Sequence, residues 1–456
     1  MNGAAAKTTK RVPTARTVAS QVLTRVSKDG AFASAALSTE LSRAVQLGER
    51  DRALSTELVY GVLRHEAGLL AALSKHTPRG LDGLDDAATR QLLLGAYQLL
   101  FLDRVPPHAI VSEAVSEVKR ERSERLAGFV NAVLRRFHER VLAERETLRK
   151  KVETESRPAW LVSGVARAFG ESSIEPFFAW AEKTPVPTLC VRDPAQRDAL
   201  LARLREARPD ATFEKTKFSP HGIHAAHAGS LARLEGYGED FVVQEEGSQL
   251  VGLLAAAKPG EVVLDACAGR GNKTAILAKA TLPGGATDAC DLHPNKVERL
   301  RENLLLQGLS VREAKAVDWE KGTGGLTGPY DRILVDAPCS GTGTISRRPD
   351  LLLRRTKNDG NGVAELADLQ VAIVKRVVPL LAPRGRLTYA VCSILHEEAE
   401  AVVERLLAET DLIAVPFDPE NLAASLWTHE DPPTSVRLVP HVHGTDGYFI
   451  ASFQRP

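Results

Sequence analysis

The 456-residue chain has no run of about 18 apolar residues, so no membrane-spanning helix is expected. Its opening stretch, MNGAAAKTTKRVPTART, lacks the apolar core of a secretion signal. It reads as a loose basic lead on a cytoplasmic protein. Cysteine is scarce, with five residues at 190, 267, 290, 339 and 392 and no CxxC pair. That spacing argues against a zinc ribbon or a dithiol redox motif. An odd count without a secretion signal also argues against a disulfide framework. Free thiols remain, and a free cysteine is ordinarily a small buried hydrophobe, so only position can give one of them a further role. The rest is the composition of an ordinary globular protein, 43% hydrophobic and 26% charged.

Length alone suggests two or three domains. Charge divides the chain unevenly. Residues 1–150 carry 24 Lys+Arg against 17 Asp+Glu, and the remainder 35 against 41. A basic front half joined to a mildly acidic back half fits a nucleic-acid-docking module attached to a catalytic one, and equally an arginine-rich helical surface. No strand pattern interrupts the first 140 residues. Apolar residues recur at helical spacing in Ala19, Val22, Leu23 and Val26, in Leu54, Leu58 and Val62, and in Val130, Val133, Leu134 and Phe137. QLLLGAYQLLFLDRVP should be a central helix, ended by Pro106 and Pro107. Arg120, Arg122, Arg125, Arg135 and Arg136 gather toward the end of this bundle, as a solvated face or as a contact for RNA phosphates.

Three domains are expected: an all-α bundle at 1–145, connecting helices and a small α/β unit at 146–245, and an α/β domain at 246–456. In the middle unit TLCVR reads as a strand and residues 197–207 as a helix. Beyond 255, EVVLDAC, GGATDACDL, SVREAKAVD, YDRILVDAP and GRLTYAVCS are short apolar strands separated by helix-like segments. That rhythm predicts a doubly wound, Rossmann-like parallel sheet. VRLVPHVHGTDGYFIASF adds two terminal strands about a turn, the usual outline of a methyl-transferring domain.

VLDACAGRGNKT places Gly269 and Gly271 between a strand and a helix start, where a ligand can approach the backbone closely. The third glycine of a dinucleotide fingerprint is missing, which disfavours a pyrophosphate. Asp291 ends the next strand, 22 residues past Gly269, where an acid can take both hydroxyls of a ribose. Asp318, ending the third strand, can reach an adenine edge. A nucleoside without pyrophosphate, S-adenosylmethionine, suits this set. His441 and His443 form an HxH on a strand with no third ligand near in sequence, so they read as structural and no metal is expected. Cys190 and Cys290 read as core, and Cys267 as part of the cofactor loop.

Cys339 follows the fourth strand and Cys392 the fifth, each with a serine after it. Ligands of open α/β sheets bind at that edge, so both thiols should lie near the methyl donor. Carbon 5 of cytosine is too weak a nucleophile to attack a sulfonium methyl. A thiolate added to carbon 6 makes it an enamine that can, after which a base removes the carbon 5 proton and the thiol leaves. A thiol is only a few per cent ionised at pH 7, so its surroundings must activate it.

DACAGRGNKT, DAPCSGTGTISRRPD and YAVCSILHEE, in this order, resemble the signature segments of the RNA 5-methylcytosine methyltransferases. FVVQEEGSQLV and GTDGYFIA are similar to that family too, while ELVYGVLRH, PPHAIVSEAV and GFVNAVLRR resemble the NusB-type RNA-binding domain. The fusion resembles the bacterial RsmB (Sun/Fmu) class, directed at cytosine 967 of small-subunit (16S) ribosomal RNA. The resemblance implies Cys392 as nucleophile, Cys339 as the thiol that assists release of the adduct, and Asp336 against both donor and target base. It also implies that Cys267, Ala268, Gly269, Arg270, Gly271, Asn272 and Lys273 form the loop around S-adenosylmethionine, with Asp291, Asp318 and Asp336. Small-subunit ribosomal RNA is the implied partner. Two positions depart from the family: Gly269-Arg270-Gly271-Asn272-Lys273 replaces Ala-Pro-Gly-Gly-Lys, and Val391 replaces a threonine. The same chemistry on a transfer-RNA or other ribosomal cytosine, and a non-catalytic RNA-binding or antitermination module, are the alternatives.

Overall fold

The computed structural model describes residues 13–77, 80–356, 362–418, 426 and 432–456, so most of the basic lead lies outside the described residues. Two compact units are present. The first takes the residues up to Leu161 and a segment from Arg347 onward. Its helices are α1 (Ala15–Asp29), α2 (Ala33–Arg43), α3 (Glu49–Ser74), α4 (Asp86–Phe101), α5 (Pro107–Glu121) and α6 (Glu124–Glu155). Local chemistry sets their ends. Thr14 accepts the Thr17 amide at the start of α1, and Gly30 closes it in the left-handed region at φ 62°. Asp85 accepts the Ala87 and Ala88 amides at the start of α4.

α4 is buried on nearly every face, as its all-round apolar sequence requires. It packs with Val18, Val22, Leu58, Val62, Val130, Leu134 and Phe137 in one core. The end of α4 corrects the sequence reading. The helix stops at Phe101, where Leu102 turns extended (φ −109°, ψ 133°). Pro107 instead opens α5, at a position where a missing N–H leaves no helical hydrogen bond unmade.

The second unit begins with most of α7 (Ala159–Phe169), then α8 (Ile174–Glu182). A small antiparallel sheet follows, in the order β2-β3-β1-β4, from β1 (Thr188–Val191), β2 (Thr212–Lys215), β3 (Gly222–Ala226) and β4 (Phe241–Val243), with α9 (Arg197–Ala207) beside it. The strand and the helix read from the sequence here are both present, and Cys190 is buried in β1. α10 (Glu246–Leu254) leads into the large sheet. Its strands are β5 (Val262–Asp265), β6 (Ala286–Asp291), β7 (Glu313–Ala316), β8 (Tyr330–Asp336) and β9 (Leu381–Val391), all parallel to their neighbours among them. Helices α11 (Asn272–Ala280) and α12 (Pro294–Leu306) connect the first three. Of the connection after β8, α13 (Asp350–Thr356) groups with the first unit, where Leu353 packs against the helical core. α14 (Gly362–Val377) then precedes β9, and α15 (Glu400–Glu409) follows it.

The sheet order is β10-β12-β9-β8-β5-β6-β7. β12 (Tyr448–Gln454) runs antiparallel to β9, to β10 (Ile413–Ala414) and to β11 (Ser435–Leu438). The five expected parallel strands and the terminal antiparallel pair are therefore present. The chain winds outward from β5 to β7 and returns at β8, which puts the switch point between β5 and β8. The HxH pair departs from expectation. It sits on a short helix, α16 (Pro440–His443), not on a strand, because Pro440 opens a turn and His443 Nδ1 accepts the Val439 amide at 2.7 Å. Among the described residues no group of three His, Cys, Asp or Glu could hold a metal ion, and no helix is long and apolar enough to cross a membrane.

Candidate active site

β5 delivers Asp265 to the C-terminal edge of the sheet, and the next residues turn back at once. Gly269 (φ 59°) and Gly271 (φ 85°) both occupy the left-handed region, and Gly271 caps the start of α11. A Cβ on Gly271 would stand 2.9 Å from the Leu300 side chain, whereas one on Gly269 would meet open space. The departure from the family loop is thus absorbed simply. Glycine keeps the left-handed position, Asn272 enters the helix with its side chain bound to Asn303 at 2.9 Å, and Arg270 is exposed. Ala268 is pinned by its amide to the Cys290 carbonyl at 2.7 Å. Cys267 is packed beside Asp265, and burial holds its thiol well above the ordinary range.

Asp291, at the end of β6, faces this loop. Its carboxylate accepts the Gly269 amide at 3.1 Å and the His293 amide at 2.9 Å, with the Lys296 ammonium 3.3 Å away. Asp318 lies two residues beyond β7 and is drawn outward to Lys321 at 2.8 Å, which lowers its pKa. Lys273, on the first turn of α11, reaches across to Asp336 at the end of β8, Nζ to Oδ2 at 2.6 Å, with the ammonium 5.6 Å from the centre of the Tyr448 ring. Burial works against the Lys273 charge, yet Asp336 first and Cys392 second outweigh it, so its pKa is raised.

The two cysteines meet. Cys339 Sγ and Cys392 Sγ are 3.3 Å apart, too far for a bond and close enough for one thiol to donate to the other sulfur. Neither is in a disulfide. The contact with Cys392, then burial, holds the Cys339 thiol well above its ordinary range. Cys392 stands directly after β9, on the residue that follows the buried Val391. The GTDG turn closes the cluster. Gly343 donates to the Cys392 carbonyl at 3.0 Å, and Gly447 donates to the Gly343 carbonyl at 2.8 Å.

Two buried acids escaped the sequence reading. Asp265 is 1% exposed. Its Oδ2 accepts the Thr274 hydroxyl at 2.7 Å, and its Oδ1 has no hydrogen-bond partner among the described residues. Burial pushes its pKa up to about 7. Glu398 is fully buried between the two cysteine-bearing loops. Neither residue carries a sequence signal of burial.

The model of the 16S rRNA methyltransferase RsmB/F family matches residues 252–454, and that of the NusB family residues 13–139. The chain is 30% identical to the "Probable ribosomal RNA small subunit methyltransferase B" of Bacillus subtilis (strain 168), over 96% of this chain and 98% of that one. It is 33% identical to the ribosomal RNA small subunit methyltransferase B of Pseudomonas syringae pv. tomato, over 96% of each. Among solved structures, PH0851 superposes with a TM-score of 0.79 at 21% identity, over 96% of this chain and 97% of that one, a likeness of fold.

Proposed function

The chain belongs to the RsmB/F family of S-adenosylmethionine-dependent 16S rRNA methyltransferases, with a NusB-like helical domain at its front, and from this we propose the reaction and its residues. The enzyme methylates carbon 5 of a cytosine in small-subunit ribosomal RNA, in the cytoplasm, through a covalent adduct on Cys392. The observation that carries this is the pair of sulfurs 3.3 Å apart at the sheet edge, beside the Lys273–Asp336 ion pair.

The residues present suit S-adenosylmethionine. Asp291 is an acid at a strand end facing the glycine turn, the disposition that binds ribose hydroxyls. The unpartnered, buried Oδ1 of Asp265 is an acceptor suited to an ammonium group. When bound, the cofactor supplies an electrophilic methyl on a sulfonium. The remaining work falls to the chain. Asp336, held by Lys273, is the carboxyl that engages the ring nitrogen and exocyclic amine of the base.

The Cys392 sulfur forms a bond to carbon 6 as its proton passes, by way of the Asp336 carboxyl, to the ring nitrogen, and the ring electrons displaced toward carbon 5 make it nucleophilic. After methylation the carbon 5 proton must leave and the sulfur–carbon bond must break, with its electrons returning to Cys392. Cys339 suits the release step because it keeps its proton. That proton passes to the departing Cys392 sulfur, and the carbon 5 proton replaces it.

One denaturing gel tests the assignment. Cys392→Ala should neither methylate RNA nor form an adduct. Cys339→Ala should stall after transfer and accumulate a protein–RNA band that ribonuclease removes. A trapped band with Cys392→Ala and none with Cys339→Ala would reverse the roles, and full methylation by both variants would overturn the thiol mechanism.

A further inference from the structure

A carboxylate lies between the two cysteine loops. Glu398 Oε1 accepts the Ser340 amide at 2.7 Å and the Gln370 side-chain amide at 3.2 Å, and Oε2 accepts the Ser393 hydroxyl at 2.6 Å. Ser340 follows Cys339 and Ser393 follows Cys392, so one side chain grips the residue after each thiol. The grip is reinforced around it. The Ser340 and Ser393 hydroxyls are 3.0 Å apart, and Thr342 Oγ1 lies 3.1 Å from each. Thr342 accepts the Ile394 amide at 3.0 Å, and the Gln370 amide also donates to the Pro338 carbonyl at 3.0 Å. The Tyr389 hydroxyl lies 2.8 Å from Gln370 Oε1 and 2.7 Å from the Glu398 carbonyl, and its one proton is shared between them.

Ser340, Thr342, Gln370, Tyr389, Ser393 and Glu398 are each no more than 1% exposed. Among the described residues no basic side chain pairs with Glu398. A buried carboxylate is tolerated only where donors satisfy it, and here three donors from the two loops and α14 do so. A core built for stability alone would place apolar side chains here at no such cost. The arrangement instead fixes the register of two loops that diverge after adjacent strands.

We propose that Glu398 is a positioning residue that sets the separation of the Cys339 and Cys392 thiols by clamping Ser340 and Ser393. It touches neither sulfur and acts through the two serines. The proposal rests on the two-thiol reading for its importance to catalysis, but the clamp itself is a geometric property that can be measured without RNA.

The separation is read by oxidising the protein with a diazene. The reagent takes up two electrons and two protons as the Cys339–Cys392 bond forms, becoming a hydrazine. Closure is followed by mass spectrometry of the peptides. In the native protein the sulfurs are already in contact, so closure is fast. Glu398→Ala should slow closure several-fold and lower kcat about 100-fold with little change in the KM for RNA, as expected from a misplacement near 1 Å. S-adenosylmethionine affinity should stay native. Glu398→Gln should recover most of both, because its carbonyl can still accept the Ser340 amide while its NH2 donates to a reoriented Ser393 hydroxyl.

Should Glu398→Ala fail to fold, Ser393→Ala removes one arm of the clamp and should slow closure in the same direction. Native closure and native kcat in the Ala variants would overturn the proposal. So would equal losses of closure, cofactor binding and folding in both Ala and Gln variants, since a merely structural group would behave that way. If closure slows but native methylation persists in Cys392→Ala, the thiol mechanism falls while the clamp stands.

Discussion

A carboxyl group closed off from water resists ionisation, and Asp265 is held that way at the end of β5, beside the glycine turn. Its pKa, ordinarily 3.8, is pushed up to about 7, chiefly by burial and against the Thr274 hydrogen bond. In the unfolded chain it ionises near its ordinary value. Between those two values the folded protein holds a proton that the unfolded chain has lost, so this group's contribution to stability falls as pH rises from about 4 to about 7. Above that range the loss is complete. The slope is bounded by about 1.4 kcal/mol per pH unit, a few kcal/mol across the window. Asp265→Asn does not titrate. Its urea stability relative to the native protein should therefore rise between about pH 5 and pH 8, and a difference that stays constant with pH would show that Asp265 ionises normally. The same burial explains what sequence could show at this scale. Cys339 and Cys392 were legible because each closes a strand motif and is followed by serine. Asp265 and Glu398 were not, because what distinguishes them is the set of neighbours brought from other elements.

At the scale of elements, β5, β6, β8 and β9 were legible because each is a short run of mainly apolar or small residues bounded by glycine, proline or a charge, and burial on both faces demands that pattern, whereas β7 is an edge strand in which only Ala314 is buried. The errors fall where a boundary depends on neighbours. The two prolines after α4 belong to the start of α5, and the histidine pair folds into α16 because a proline and a cap outweigh its brief strand-like pattern. The turn after Cys339 makes a different demand, which no pattern in GTGTIS discloses. Gly343 and Gly447 bring two backbones together, and a Cβ on Gly343 would stand 2.1 Å from the Gly447 carbonyl oxygen. Backbone cannot step aside as a flexible side chain can. Gly343→Ala should destabilise the second unit by about 1–3 kcal/mol. It should also slow methylation, because the same turn donates to the Cys392 carbonyl. Unfolding in urea measures the first effect, and an unchanged midpoint would mean that the turn relaxes freely.

For the molecule as a whole, the charge imbalance visible in the sequence resolves into paired and unpaired arginines. Arg122 is held by Asp85 at 2.7 Å, and Arg120 is bonded to Glu117. Arg125, Arg135 and Arg136 are exposed, and among the described residues no carboxylate pairs with them. Arg135 also lines a groove of about 730 Å³ between α5 and α6, together with Lys119, His108, His138 and Asn131. A guanidinium already matched to a carboxylate gains little from a phosphate, so the three unmatched arginines should carry the docking. Neutralising a phosphate releases counterions, and each neutralised phosphate adds roughly 0.7–0.9 to the steepness of log affinity against log salt. In the full-length protein, Arg125→Ala, Arg135→Ala and Arg136→Ala combined should weaken ribosomal RNA binding and flatten that slope by about two to three. The pair Arg120→Ala and Arg122→Ala should flatten it by far less than its two charges out of three would give. S-adenosylmethionine affinity should be native in both. Filter binding across a salt series decides between them. Slopes flattened in proportion to the charges removed, two against three, would show that net charge alone attracts RNA, and an unchanged slope in the triple variant would place the docking surface elsewhere.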